Sequence, residues 1–290
     1  MDTFWIILTG ILVAACCSLL GCFLLLRKMA MVGDAISHAV LPGIVIAYLL
    51  AQNRDSLPML MGAGVFGVLV TVLIETLHKQ GKMQIDAAIG VSFTWLFAIG
   101  VILISLYAGQ VDLDQDCVLY GEIAYVPLDT WNIANREIPR TVGILSILLL
   151  GIIAFIVLGY KALFVTTFDE VFAASMGIST AFWHYALMSA VSFTTVMSFE
   201  AVGAILVVAF LVGPPSIAYL LTDNLRWMLV LSLLLGILTA ITGYYLAVWI
   251  NGSIAGGMAA ALGVEFGLVF LWAPKYGLFF QKKKKIQNMF

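Results

Sequence analysis

Charge is scarce in this chain: Asp, Glu, Lys and Arg make up only 10% of its 290 residues. A soluble globular domain carries roughly 25%. Hydrophobic residues reach 63%, and mean hydropathy is +1.09. That balance excludes a water-soluble fold and indicates an integral membrane protein that crosses the bilayer repeatedly. Signatures of catalysis are missing as well. No G-x-x-x-x-G-K-[ST] phosphate loop occurs, because Gly81-Lys82 lacks the upstream glycine and is followed by Met83. Neither H-E-x-x-H nor G-x-S-x-G is present, so the chain is not read as an enzyme. Cysteine is sparse: Cys16, Cys17, Cys22 and Cys117 include no pair with zinc-type spacing and read as small packing residues. No basic stretch precedes the first apolar run, so a cleaved signal is not expected. The net charge of −2 says nothing about partners, and no nucleic-acid partner is expected.

What is present is a series of apolar runs. A span needs about 20 such residues. Runs at 3–26, 30–51, 57–77, 86–108, 141–160, 180–198, 200–220, 227–249 and 257–273 read as nine spans. The second contains Pro42 and is expected to bend or shorten. The sixth and seventh are so close that one irregular hairpin, and hence eight spans, is the alternative. With the N-terminus outside, Arg27, Lys28, Lys79, Lys82, Lys161, Arg226, Lys275 and Lys282 to Lys285 lie inside. Only Arg54, Arg136 and Arg140 then lie outside, which satisfies the positive-inside rule. The C-terminal lysine run reads as an anchor near anionic lipid on the cytoplasmic side. The whole chain, 1–290, reads as one all-α, polytopic membrane domain.

One stretch places chemistry inside an apolar span. Asp34 and His38 stand four residues apart in Met29-Ala-Met-Val-Gly-Asp-Ala-Ile-Ser-His-Ala-Val-Leu-Pro-Gly43. Four residues is about one helical turn, so both side chains share a face. A charge at the centre of a bilayer costs about 2.5–3.5 kcal/mol on the lenient insertion scale, and such groups mark ion paths or relays. Carboxylate and imidazole together suit a divalent metal. Counted up a helix from Lys28, His38 is expected near the bilayer midplane, with Asp34 one turn below. The plainer reading is a polar pair that packs two helices together.

Other candidates are weaker. Asp86 starts the fourth span and reads as an N-cap, with a role at the inner mouth as the sharper alternative. Glu200 falls at the outer end between the sixth and seventh spans, as a vestibule ligand or a solvated hinge residue. Glu265 lies within the last span and reads as a bond between helices, a protonated acid or a metal-transfer group. His184 reads as an interfacial belt residue, and His78 as a solvated one. Asp112, Asp114, Asp116 and Glu122 crowd an acidic loop of about 109–140, which reads as a cation-gathering vestibule or a plain solvated loop. It is not an EF-hand, since Cys117 and Ile123 stand where Gly and Glu are required. Between the fifth and sixth spans, Phe168-Asp-Glu-Val-Phe-Ala-Ala-Ser-Met-Gly-Ile178 reads as a short helix over about 168–178. Asp169 and Glu170 suit its first turn, and Gly177 suits its stop. Phe168, Phe172 and Met176 form an apolar stripe that fits a partner's groove or lies flat in the interface.

Four motifs carry a family resemblance. They are Gly33-Asp-Ala-Ile-Ser-His-Ala-Val-Leu-Pro-Gly43, Asp86-Ala-Ala-Ile-Gly90, Phe168-Asp-Glu170 with Ala174 and Gly177, and Val202-Gly-Ala-Ile-Leu-Val-Val-Ala-Phe-Leu-Val-Gly-Pro214. In this order they resemble the permease subunits of manganese, zinc and iron ABC importers, over nearly the whole chain. The acidic loop resembles the manganese branch. The resemblance implies a helical bundle similar to cobalamin-type importer permeases. It implies two permease subunits around one pathway, two ATPase subunits docked below, and an extracytoplasmic metal-binding protein above. Phe168 to Ile178 would be the coupling helix in the ATPase groove. Asp34 and His38 would form the metal gate, with Glu200, Asp86 and Glu265 as lesser candidates; an acid at Glu265 departs from the family pattern. No resident cofactor is implied. The cargo would be a divalent metal, Mn2+ first and Zn2+ or Fe2+ next. The rival reading is an ion-driven secondary metal transporter or channel with no ATPase, in which Asp34 and His38 relay protons.

Overall fold

A computed structural model of the chain describes residues 2–51, 56–107, 123–133 and 136–273. In hydrocarbon every backbone N–H and C=O must be satisfied within its own segment, so the apolar runs become helices. In chain order these are α1 (Asp2–Leu26), α2 (Val32–Ala39), α3 (Leu41–Ala51), α4 (Ser56–Lys79) and α5 (Ile85–Tyr107). A 3-10 turn, Ile123–Leu128, leads into a hairpin of β1 (Thr130–Ile133) and β2 (Arg136–Pro139). The strands are antiparallel, with Thr130 opposite Pro139. Then come α6 (Arg140–Phe168), α7 (Glu170–Ser175), α8 (Thr180–Val202), α9 (Ala204–Leu221), α10 (Leu225–Ile250) and α11 (Ile254–Trp272).

Among the described residues, 9 helical stretches are long and apolar enough to cross a membrane. The expected bend in the second span is a break at Val40, between α2 and α3. Its cause is Pro42, which has no N–H for the carbonyl four residues back and whose ring crowds that carbonyl. The sixth and seventh spans are separate helices with one residue between them. That residue is Gly203, at φ 80 and ψ 163, a conformation that a side chain opposes.

Helix α1 is the hub, with 78% of its most apolar window buried. It packs against α6, α8, α9 and α10, while α2 packs against α4, α5 and α8. Cys16, Cys17 and Cys22 are buried and unpaired on α1, as packing residues would be; Cys117 lies outside the described residues. Helix α6 differs from expectation. It has 29 residues and continues to Phe168, not to 160. At 1.5 Å per residue that is about 43 Å, against a hydrocarbon core of about 30 Å, so α6 is longer than the core is thick.

Candidate functional site

Asp34 stands in the first turn of α2 and His38 in its last. His38 Nε2 lies 3.6 Å from Asp34 Oδ1, and the two side chains are 33% and 35% exposed. That distance is too long for a hydrogen bond, so neither group exhausts the other. The imidazole sits against Phe93 and Phe97 of α5, with ring centres 5.6 and 5.7 Å away. One ring is tilted and the other edge-on, which fixes the plane of the histidine. The depth differs from expectation. Lys28 is not helical but has φ 60, so the rise begins at Val32. His38 is then about 9 Å along a span of about 30 Å, in its first half and not at its midpoint.

The remaining candidates do not join this pair. Asp86 is the second residue of α5, exposed in its first turn, and not the cap ahead of it. Glu200 is exposed near the end of α8. It shares a small cavity with Asp129, Arg140 and Met197. Glu265 bonds between helices: Thr239 and Thr242 of α10 donate to it at 2.5 and 3.1 Å. Asp112, Asp114, Asp116 and Glu122 lie outside the described residues.

The segment after α6 is shorter than expected. Asp169 is extended, at φ −149 and ψ 95, and its carboxylate accepts from Phe172 N at 2.8 Å. It therefore caps α7 and splits it from α6. Phe168 belongs to α6, so Phe168, Phe172 and Met176 do not share one helix. Phe168, Val171, Phe172 and Met176 are nonetheless all exposed. Helix α7 stops at Ser175, and Gly177, at φ 76, turns the chain.

One constellation escaped the sequence reading. Glu75 on α4 is buried at 9% exposure. Lys79, one turn on, donates to its Oε1 at 2.5 Å. His184 on α8 places Nε2 3.8 Å from Glu75 Oε2, with its side chain only 14% exposed. It therefore faces inward and is not a belt residue. Arg27, just past α1, donates to His184 Nδ1 at 3.4 Å, to Thr166 at 3.0 Å and to Thr167 at 3.1 Å. Burial pushes the Arg27 guanidinium below its usual value, and the Glu170 carboxylate opposes that shift. The available signal was Glu75 itself, an acid inside an apolar span four residues before a lysine. His78, by contrast, is exposed and its Nδ1 is 2.8 Å from Met83 O across a tight turn.

Comparison with known proteins decides the family. The profile of the ABC 3 transport family matches residues 2–273. The chain belongs to that family. It is 47% identical over 286 residues to the manganese transport system membrane protein MntD of Bacillus subtilis, covering 98% of this chain and 96% of the relative. It is 45% identical to the zinc transport system membrane protein TroD of Treponema pallidum, covering 95% of this chain and 75% of that one. Among solved structures, PsaBC from Streptococcus pneumoniae in complex with Fab superposes with a TM-score of 0.77 at 30% identity, covering 94% of this chain and 92% of that chain. This ABC 3 family member is thus a multi-pass helical membrane protein of the permease kind. Asp34 and His38 are its ionisable pair at a helix break within the second span.

Proposed function

We propose that this chain is the membrane-spanning subunit of an ATP-driven importer of a divalent metal in a bacterial cytoplasmic membrane. The observation that carries the reading is the Asp34–His38 pair. Both side chains are only partly exposed inside an apolar span, and 3.6 Å separates their ligating atoms. With metal–ligand bonds of about 2.1 Å, donors so spaced subtend about 118° at one ion. The spacing is therefore compatible with both donors binding the same cation. Two donors do not hold a metal tightly, and among the described residues no group of three or more His, Cys, Asp or Glu is positioned for one. A second permease subunit across a two-fold axis brings the set to four. Such a site binds weakly enough to release its cargo.

The N-terminus lies outside and the C-terminus in the cytoplasm. An extracytoplasmic binding protein delivers metal, and two ATPase subunits drive alternating access from below. Helix α7, with its exposed Val171 and Phe172 and with Met176 just past its end, seats in the ATPase groove. Manganese is the first choice of cargo, mainly on the resemblance of the Ala-Val-Leu-Pro-Gly and acidic-loop motifs and partly because hard oxygen donors suit it while sulfur and histidine are scarce. The named relatives do not separate the metals, since a manganese and a zinc protein are 47% and 45% identical to this chain. Uptake by proteoliposomes containing the chain, its ATPase and its binding protein decides the matter. ATP-dependent manganese uptake exceeding zinc uptake is expected. Flux that follows a proton gradient without ATP contradicts the reading.

A further inference from the structure

The Arg27, Glu75, Lys79 and His184 cluster lies at the same end of the bundle as α7, and it joins elements distant in sequence. Thr166 and Thr167, which hold the Arg27 guanidinium, are the last turn of α6 before α7. Glu170 of α7 acts electrostatically on both Arg27 and His184. On the other side, Glu75 and His184 sit on α4 and α8, and both helices pack on α2.

The hydrogen-bond logic of the cluster is directional. Arginine only donates, so His184 Nδ1 accepts from Arg27 and Nε2 carries the imidazole proton. That N–H faces buried Glu75 Oε2, which stands at hydrogen-bond geometry to no donor, although the Tyr185 hydroxyl, next to His184 in sequence, also acts on this carboxylate. The 3.8 Å gap exceeds a hydrogen bond. A buried acceptor held just out of its donor's reach is rare in folded proteins and calls for a cause. Closing this one requires the two side chains, carried on α8 and α4, to approach each other. Metal binding is not that cause. Lys79 already occupies Oε1 and Arg27 faces the imidazole, and two cations repel a third.

We propose that Arg27, His184 and Glu75 are a clasp that carries movement of α7 to α2, and so are positioning residues for Asp34 and His38. When α7 moves, the last turn of α6 moves Arg27 through Thr166 and Thr167. Arg27 shifts His184, and the contact of Nε2 with Glu75 makes or breaks. Helices α4 and α8 then slide against α2. The inference rests on the importer reading, in which an ATPase moves α7.

The test is metal taken up per ATP hydrolysed, in proteoliposomes of the full complex. Three variants are compared at equal amounts of assembled complex: Glu75→Gln, Glu75→Asp and Arg27→Lys. A coupling device of this kind is expected to lose about tenfold in uptake per ATP in Glu75→Gln, with hydrolysis nearly unchanged. Arg27→Lys keeps the charge but loses the planar fork, and shows the same loss even if Glu75→Gln does not assemble. Glu75→Asp retains most of the coupling. ATP-driven wild-type uptake with every variant unchanged, or with uptake and hydrolysis falling together, overturns the clasp alone. Wild-type uptake without ATP overturns the importer reading and the clasp with it.

Discussion

In the proposed pathway, His38 serves as a ligand because of what it is denied. Its ring is held by Phe93 and Phe97, while Asp34 stays too far away to bond it. The packing fixes direction without consuming a ligating nitrogen. Phe97→Ala frees the ring and is expected to lower metal uptake about tenfold, as loss of a supporting neighbour typically does at a metal ligand. Unchanged uptake at saturating ATP would show that ring packing does not orient the site. Glu265 is the contrasting residue. Its two threonine partners tie α10 to α11, so Glu265→Ala removes acceptors that served two hydroxyls. A cost of about 1–3 kcal/mol is expected for polar groups left unpaired, read as a lower thermal midpoint in detergent with uptake per assembled complex unchanged. Lost uptake at full stability would instead place Glu265 on the metal route.

Among the elements, α7 and the broken second span show what sequence can and cannot convey. Pro42 announced the break, because its missing N–H is a property of the residue alone. The four-residue spacing of Asp34 and His38 was equally legible, since a helical turn is local. The depth of the pair was not, because the left-handed Lys28 stops the helix from running on. Asp169 was read as a first-turn acid, but its carboxylate caps the helix, and caps and first-turn residues have similar composition. Glu75 was visible as an acid in an apolar span, whereas its meeting with His184 and Arg27 depends on how α1, α4 and α8 pack. Two outcomes follow for α7. Asp169→Ala costs about 1 kcal/mol of local helix stability and lowers uptake per ATP without abolishing it. Phe172→Asp puts a charge on the exposed apolar patch, and the ATPase no longer co-purifies with the permease. Normal co-purification and transport by Phe172→Asp would remove α7 from the docking surface.

On the scale of the whole molecule, composition indicated the class, and the described helices match the nine spans read from the sequence. In the importer reading each of the 9 apolar helices among the described residues crosses once, so Asp2 and Trp272 fall on opposite faces of the bilayer. Arg27, the Lys79–Glu75 pair and the end of α6 meet at one end of the bundle. An N-terminal tag is expected to be reached by antibody on intact cells, and a tag after Phe290 only after permeabilisation. The bundle also gives the division of labour its shape. In the importer reading a movement starting at α7 reaches the Asp34–His38 pair through the two helices, α4 and α8, that pack on α2.

The most direct test of the metal pathway is uptake by the assembled transporter carrying Asp34→Ala or His38→Ala. The account predicts that both variants assemble with their ATPase and that neither imports metal when ATP is supplied, whereas the wild type does. Normal ATP-driven uptake by both variants would contradict it, because the metal would then cross without the Asp34–His38 pair on which the pathway is built.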